Sequence, residues 1–444
     1  MNKNIWQPVV LFAMSLLIGS CGGGGSGGSG GIGIAGTGTA VNVGGSGAAQ
    51  GDGAANAGGA SSSGAAGGVS SAAAAGGDDG SGVGSGGTGV SSASAAGIGS
   101  TDGLGSVILN GVRYNTDSAV FNLQDAPELL LGMSVKVTGP VNSNFTAGTA
   151  TTVESAADLR GTVSNIDLGS STFSLLGTTV STDEETVWAD ASGLSGIADG
   201  STLQVWGLPA APGMLRATRI ARVASGGAPI LTGTVRNLDK VAGVFSIGTL
   251  NVNYANALFV GGLDSATLAN GTIVRVRGVG FASVGVLNAT AIQSWYSLAQ
   301  ATGQTATLDG VVTEYAGLAS LKVLGVPVDA GAAQITGGPS SSIGNGVKLE
   351  VAGVFSAGML RATRVKIRHI PGTGGPSSFA LIGTVGAFTS AADFKVRGQP
   401  INASGQNVLF QNGIAGNLGN GVKVTVTGSQ VLNGVLLANT VTFN

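Results

Sequence analysis

The chain has very little of the residue types that build disulfides and metal sites. It contains one cysteine, Cys21, and one histidine, His369, among 444 residues. A single cysteine cannot close an internal disulfide, and one Cys with one His cannot supply the three or four nitrogen and sulfur ligands of a zinc site. We therefore expect no metal and no other cofactor, and a folded part that is held together by apolar packing.

Charge is also scarce. Only 9% of the residues are charged, and 20 basic against 22 acidic residues give a formal net charge of −2 without any run of like charges. Such a chain has little with which to neutralise a phosphate backbone. Nucleic acid is therefore not an expected partner.

Residues 1–20 have the three parts of a lipoprotein signal peptide. Lys3 lies near the start, an apolar stretch runs from Val9 to Leu17, and small residues precede Cys21. The apolar stretch is too short to cross a bilayer. The run Leu17-Ile18-Gly19-Ser20-Cys21 resembles the lipobox of bacterial lipoproteins, which implies cleavage before Cys21 and acylation of its thiol. The alternatives are an ordinary signal peptide with an incidental thiol and an uncleaved short anchor.

The residues after Cys21 bear on where the protein resides. Gly22 and Gly23 follow Cys21 at the positions where a signal for retention in the inner membrane would include Asp. We therefore expect a protein that is anchored to the outer membrane through the lipid on Cys21, on the periplasmic or the cell-surface side. Residues 21–96 are mostly Gly, Ser and Ala, which offer too little apolar surface to offset the entropy of ordering, so this segment is predicted to be a disordered tether.

Internal repetition organises the rest of the chain. Pairs of glycines seven residues apart recur every 68 to 75 residues, and the positions between them alternate apolar and polar. An alternation of period two predicts a half-buried β-strand, and the second glycine is expected where the chain turns or another strand approaches closely. The pairs are Gly132/Gly139, Gly200/Gly207, Gly271/Gly278, Gly346/Gly353 and Gly421/Gly428.

Two further blocks complete each unit. A Leu-x-Gly-x-Val block precedes four of the five alternating strands, and a block such as Ala217-Thr218-Arg219-Ile220 follows. Each unit therefore predicts about five short strands. The five predicted β-domains, called repeats 1 to 5 below, are residues 97–155, 159–224, 231–296, 308–369 and 381–444.

These units predict an all-β fold. Five strands in so short a unit fit a small closed barrel without free edges, so we expect a tandem array of five small five-stranded OB-like antiparallel barrels after the tether. A solenoid is disfavoured because its period would be nearer to about 20–30 residues. Spacers such as Ser225–Pro229 favour nearly independent beads.

This layout resembles the domain-of-unknown-function 5666 family of bacterial secreted proteins and lipoproteins. Those proteins combine a Gly-rich segment after the signal with repeated units in which L-x-G-x-V is followed by the glycine-paired strand. The resemblance covers about Gly97 to Asn444 together with the N-terminal arrangement. It implies a fold and no mechanism, so no functional residue is carried over.

The sequence offers few candidates for chemistry. His369 stands at the edge of a spacer, where a catalytic triad would lack buried partners, so catalysis is not expected. Asp183-Glu184-Glu185 occurs in one repeat only and favours a solvated loop over a pair of catalytic carboxylates.

Five residues remain as candidates for ligand binding. The segments Gly213–Arg219 and Gly358–Arg364 are identical over seven residues and could present paired arginines to an anion, although repeat 3 lacks them, which favours an incidental role. An aromatic side chain on the polar face of its strand could stack on a sugar or pack against a neighbouring repeat, and packing is favoured. The candidates are Arg216, Arg219, Arg361, Arg364 and Trp206.

Five repeats without a polar cluster favour a function that needs no single strong site. We expect a non-enzymatic envelope or surface lipoprotein that acts through multivalent binding and adhesion or as a structural spacer, with an envelope polysaccharide or protein as partner. The alternative is an OB-like module that binds an oligosaccharide or another envelope component. A hydrolase is the third and least favoured hypothesis.

Overall fold

The computed structural model describes residues 95–283, 285–373 and 379–444. The predicted signal peptide, Cys21 and the tether up to residue 94 lie outside the described residues, and Ala95 begins the first strand. No helix in the described ranges is long and apolar enough to cross a membrane.

Short strands follow one another through all five repeats, and the first strands of repeats 1, 3, 4 and 5 begin one to three residues before the predicted bounds. Repeat 1 contains β1 (Ala95–Ser100), β2 (Gly103–Leu104), β3 (Val107–Leu109), β4 (Val112–Asn115), β5 (Val120–Leu123), β6 (Ser134–Gly139), β7 (Ala147–Thr149) and β8 (Thr152–Ser155). Repeat 2 contains β9 (Leu159–Asp167), β10 (Thr172–Leu175), β11 (Thr178–Ser181), β12 (Val187–Trp188), β13 (Thr202–Pro209) and β14 (Met214–Arg222). Repeat 3 contains β15 (Ile230–Thr234), β16 (Arg236–Asp239), β17 (Val244–Ile247), β18 (Leu250–Asn253), β19 (Leu258–Val260), β20 (Ile273–Ser283) and β21 (Val286–Ser294).

The last two repeats have six strands each. Repeat 4 contains β22 (Thr305–Gly317), β23 (Ser320–Val323), β24 (Val326–Asp329), β25 (Gln334–Thr336), β26 (Lys348–Ser356) and β27 (Met359–His369). Repeat 5 contains β28 (Phe379–Ser390), β29 (Asp393–Val396), β30 (Gln399–Asn402), β31 (Leu409–Gln411), β32 (Lys423–Leu432) and β33 (Val435–Phe443). Single 3₁₀ turns lie at Leu194–Gly196, Ser340–Ser342 and Ala415–Asn417.

Strand pairing within repeats 2, 4 and 5 follows one scheme. In repeat 2, β9 pairs with both β10 and β13, and β10 continues to β11. β11 runs parallel to β14, which pairs antiparallel with β13 and so closes the circuit of five strands. The short β12 adds a second parallel pairing to β14. Each repeat therefore mixes antiparallel and parallel pairs.

The opening strands join the repeats to one another. β9 pairs with β15, so repeats 2 and 3 share a 13-stranded sheet. β1 runs parallel to β22 and β2 runs parallel to β28, so repeat 1 is divided between two 10-stranded sheets, one shared with repeat 4 and one with repeat 5.

The predicted fold class is therefore wrong, although the all-β prediction is confirmed. The chain is not a tandem array of five small five-stranded OB-like antiparallel barrels. As in a β-solenoid, strands of neighbouring repeats pair edge to edge, and each sheet continues through more than one repeat. The physical reason is that an alternating strand specifies which face is buried but not which strand will pair with its free edge, and small units gain stability by pairing such edges.

The cores are shared between repeats as well. One apolar cluster contains Leu159 and Phe173 of repeat 2 together with Phe245 and Leu287 of repeat 3. The core of repeat 1 includes Ala352 from repeat 4. Apolar packing therefore crosses the boundaries that the Gly/Pro spacers suggested.

The two glycines of each pair meet different backbone requirements. The first adopts a positive φ of 78° to 92° in all five repeats, a conformation that side chains with a Cβ rarely adopt. A Cβ on the second would lie only 2.0–2.8 Å from a main-chain carbonyl oxygen of the neighbouring strand. The second glycine is therefore required chiefly by close strand approach.

Candidate functional site: a groove between repeats and its charged junction

A groove of about 1450 Å³ opens between repeats 2, 3, 4 and 5. Its rim carries charged side chains of both signs, among them Glu184, Arg236, Glu314 and Lys322. Its lining also includes the apolar side chains Trp188, Leu194, Met214 and Ile273. A concave site with an apolar lining and a few polar groups is the usual form of a small-molecule or oligomer binding site in proteins.

Arg216 links this groove to a buried cluster of charges. It lies on β14, donates a hydrogen bond to Glu185 at 2.7 Å and pairs with Asp183, and both acids lie in the turn between β11 and β12. Burial alone would lower the pKa of Arg216, but the two carboxylates outweigh burial and raise it. Its Nη1 atom has no hydrogen-bond partner within the described part of the chain. Because this nitrogen is itself buried, it is not open to a ligand in the groove.

His369 also lines the groove, at the end of β27. It is half-buried, and burial together with the nearby charge of Arg216 lowers its pKa. The prediction that this histidine stands apart at a spacer edge missed the approach of Arg216 and Asp183 from repeat 2.

A charged junction adjoins the groove where repeats 1, 2 and 4 meet. Lys348 contacts Glu185 at 2.9 Å and Asp309 at 3.2 Å. Arg368 pairs with Glu350 and lies 3.7 Å from Asp102. We call these six residues the charged junction. The sequence predicts a solvated loop for Glu185, but its side chain is buried. Burial raises the pKa of Glu185, but the positive charges of Lys348, Arg216 and Arg368 outweigh burial and lower it below its usual range.

The other ligand-binding candidates have separate positions. Arg219 donates to the carbonyl of Leu131, and Arg364 donates to the carbonyl of Asn144, so both arginines contact repeat 1. The side chain of Arg361 is 54% exposed and pairs with Asp329. The identical segments of repeats 2 and 4 therefore place Arg216 and Arg361 in different surroundings.

Trp206 is buried at the meeting of three repeats. It packs with Met133, Ala157 and Ile230. The indole is therefore placed against neighbouring repeats, and its ring offers no face to a ligand in this arrangement.

Two further buried ion clusters hold the repeats together. Asp158 pairs with Arg275 at 2.8 Å, which connects the start of repeat 2 to repeat 3. Asp125 of repeat 1 pairs with Arg160 at 2.9 Å and with Arg277 at 2.7 Å. Burial would raise the pKa of Asp125, but these two arginines lower it.

The sequence carried a signal for the charged junction that periodicity alone could not interpret. Asp309 stands inside the apolar run Leu308-Asp309-Gly310-Val311-Val312, and Lys348 and Glu350 occupy the polar face of an alternating strand. Alternation alone indicates a solvated polar face, whereas neighbouring repeats cover this one. Within the described ranges, no group of three or more His, Cys, Asp or Glu side chains could hold a metal ion.

Comparisons with known proteins agree with this repeat architecture. The chain is a repeat-containing all-β protein. The family model described as Domain of unknown function (DUF5666) matches residues 160–221 and 309–366, which lie in repeats 2 and 4. The resemblance to this family is thereby confirmed in these two regions. No curated protein matches the chain.

Because of Asp102, we expect the free energy of unfolding to fall as the pH rises toward neutrality. Burial raises its pKa from 3.8 to about 7, against the opposing charges of Arg368 and Lys348. Between these pH values the unfolded chain releases a proton that the folded protein retains, so each rise in pH favours unfolding. The lowered pKa of His369 acts in the opposite direction, because the unfolded chain binds its proton first as the pH falls.

The contribution of Asp102 can be isolated with Asp102→Asn, which removes the titrating group and retains a polar side chain. Urea midpoints of both proteins should be measured between pH 5 and pH 8. We expect the wild-type midpoint to fall relative to that of the variant as the pH rises. Parallel profiles would show that Asp102 does not titrate in this interval.

Proposed function

We propose that this protein is a lipid-anchored envelope protein that binds a polar, hydroxyl-rich ligand, an oligosaccharide or a similar envelope component, without catalysis. The observation that carries the proposal is the groove that four repeats form together, lined by apolar side chains and by charges of both signs. Charges of both signs on the rim favour a neutral ligand over a polyanion. Apolar side chains in the lining would pack against sugar rings.

A structural spacer is the second candidate function. Shared sheets and buried ion clusters favour a rigid body, which suits a spacer better than beads that move separately. Multivalent adhesion through five equal sites has less support, because equivalent residues such as Arg216 and Arg361 differ in exposure.

Filling the groove should abolish ligand binding without loss of fold. Ala211 lines the groove at an exposed position, so Ala211→Trp would occupy ligand space. We expect affinity for oligosaccharides retained on an envelope-glycan array to fall about tenfold or more, which corresponds to about 1.4 kcal/mol.

The matched control is Val241→Trp, because Val241 is fully exposed and does not line the groove. It should bind like the wild type. Equal binding by the two tryptophan variants would place the ligand elsewhere, and an array without any bound glycan would favour the spacer.

Anchoring through Cys21 is a separate proposal with its own test. Cys21→Ser should leave the precursor uncut or release the protein from the membrane fraction, because acyl chains supply about 0.8 kcal/mol per buried methylene and a serine cannot carry them by the same route. Fractionation of cells and immunoblotting would show this. Firm membrane association of a processed Cys21→Ser chain would contradict lipidation at this residue.

A further inference from the structure

Lys348, Asp309 and Glu185 form a buried triplet of an amine and two carboxyl groups. The Lys348 Nζ atom lies 3.2 Å from Asp309 Oδ2 and 2.9 Å from Glu185 Oε2. The side chains of Lys348 and Asp309 are each only 2% exposed, and that of Glu185 is 9% exposed. An amine held against a carboxyl group out of water is the arrangement from which an amide can form.

We propose that Lys348 and Asp309 become joined by an intramolecular isopeptide bond, with Glu185 holding the amine in place. The Nζ atom attacks Cγ of Asp309, a new N–C bond forms, and one C–O bond of the carboxyl group breaks. The two protons that the lysine ammonium loses leave with that oxygen as water. One positive and one negative charge disappear together, and no oxidant or reductant is needed.

The groups around the leaving oxygen of Asp309 support the transfer of both ammonium protons to it. Lys348 Nζ lies 3.2 Å from Asp309 Oδ2 and can pass its protons to that oxygen, while Glu185 Oε2 accepts a hydrogen bond from the amine and holds it there. On the other side, the Ser100 hydroxyl donates to Asp309 Oδ2 at 3.1 Å and lies 3.4 Å from Asp102 Oδ1. Burial raises the pKa of Asp102 to about 7, so Ser100 faces a neutral acid below that pH and its hydroxyl can keep donating to the leaving oxygen of Asp309.

The choice of Asp309 over Glu185 as the reacting acid follows from the arginines. Arg216 and Arg368 lower the pKa of Glu185 and hold it as a carboxylate, which resists attack by an amine. Asp309 instead faces the Ser100–Asp102 path. Glu185 therefore stays ionised and orients the Lys348 amine instead of reacting with it.

The charge state of Lys348 sets the rate of the reaction rather than its outcome. Burial would lower the pKa of Lys348, but Asp309 and Glu185 raise it, so the uncharged amine is the minor form. Each molecule has to react only once, and fixed proximity gives such intramolecular reactions a large effective concentration. A buried amide is then shielded from hydrolysis.

The bond would fasten two neighbouring strands of repeat 4. Asp309 lies on β22 and Lys348 begins β26, and the register pairs Val311 with Lys348 and Asp309 with Glu350. A covalent link across this pair would restrict the unfolded chain in the way that a disulfide does. It would give a chain with one cysteine a cross-link that reducing agents cannot open.

The test is a tryptic digest of the purified full-length protein. Trypsin would cleave after Arg277, Lys322 and Arg361 but not after a modified Lys348, which leaves residues 278–322 joined to residues 323–361. This branched product has the same mass as linear 278–361, because the extra cleavage adds the water that the cross-link removes. Tandem fragmentation separates the two, since only the branched product yields ions from two amino ends, Gly278 and Val323.

We expect the branched product in the wild type and its loss in Lys348→Arg, which retains the positive charge. We also expect much less of it in Glu185→Ala, which removes the acceptor that orients the amine, with circular dichroism as the check on folding. A wild-type digest that contains only the linear peptide ending at Lys348 would overturn the proposal, whatever the variants do. A link from residues 323–361 to residues 161–216, which contain Glu185, would overturn the assignment of Asp309.

Discussion

Asp158→Asn is expected to destabilise the protein by about 3–5 kcal/mol, the cost of leaving a buried charge without its partner. Asp158 and Arg275 have side chains that are 0% and 1% exposed, so neither can turn to solvent. The variant would leave the Arg275 guanidinium in the interior without its counterion. Chemical denaturation followed by tryptophan fluorescence would measure the loss.

The surroundings of Asp158 make this the largest effect among the ion pairs. Its carboxylate also accepts hydrogen bonds from Ser134 Oγ at 2.6 Å, the main-chain amide of Gly207 at 2.8 Å and Trp295 Nε1 at 2.6 Å. These donors belong to repeats 1, 2 and 3. The charge therefore holds three repeats at one point, and its loss should weaken all three together.

A matched control is Glu314→Gln, which breaks an exposed pair with Lys322. Exposed pairs contribute at most about 1 kcal/mol, so this variant should unfold close to the wild type. If Asp158→Asn were as stable as Glu314→Gln, the Asp158–Arg275 pair would not be buried as described.

Gly353→Val should destabilise the protein by about 3 kcal/mol or more, through overpacking against the backbone. A Cβ at this position would lie 2.1 Å from the carbonyl oxygen of Arg361 and 2.8 Å from Cα of Ala362. Gly353 lies at a register shift between β26 and β27, where the two strands approach closely. Neither strand can move away without breaking its ladder.

The loss should extend beyond repeat 4. β26 pairs with β22, and β22 pairs with β1, so distortion of β26 is transmitted to repeat 1. Hydrogen exchange of Gly353→Val should show increased exchange in residues 305–369 and 95–100 together. Loss confined to repeat 4 would show that the shared sheet is not a cooperative unit.

Gly386→Val is the control for this variant. Gly386 also lies in a strand, but a Cβ there would meet nothing within 4 Å. Its stability should change by no more than about 0.5 kcal/mol. A similar loss in both variants would indicate that the cost comes from replacing glycine in a strand rather than from close strand approach.

Much of the local structure could be predicted because it depends on neighbouring residues in the chain. The strand between Gly346 and Gly353 is marked by alternation, and β26 begins at Lys348 between these glycines. The Leu308–Val312 block predicted an opening strand, which β22 contains. The second glycine of each pair was expected at a close strand approach, and a carbonyl oxygen of the neighbouring strand lies there, whereas the positive φ of the first glycine was not predicted.

The candidate site could be predicted only in part. Arg216 was singled out because its segment recurs in repeat 4, but Lys348 and Asp309 were not, since each looks like a solvated residue in its own strand. Whether a polar face meets water depends on what packs against it, and a single strand carries no information about that partner. The segments Gly213–Arg219 and Gly358–Arg364 illustrate this, because identical residues bury Arg216 and expose Arg361.

The sequence by itself determined the all-β class and the repeated alternating strand between paired glycines, because alternation and glycine spacing act over a few residues. Only the tertiary structure decided that β1 pairs with β22, that β2 pairs with β28, and that Glu185 of repeat 2 meets Lys348 of repeat 4. Free strand edges and buried charges are satisfied by whichever partner lowers the free energy of the whole chain. That partner can lie two hundred residues away, as Ser100 and Asp309 do at a sequence separation of 209.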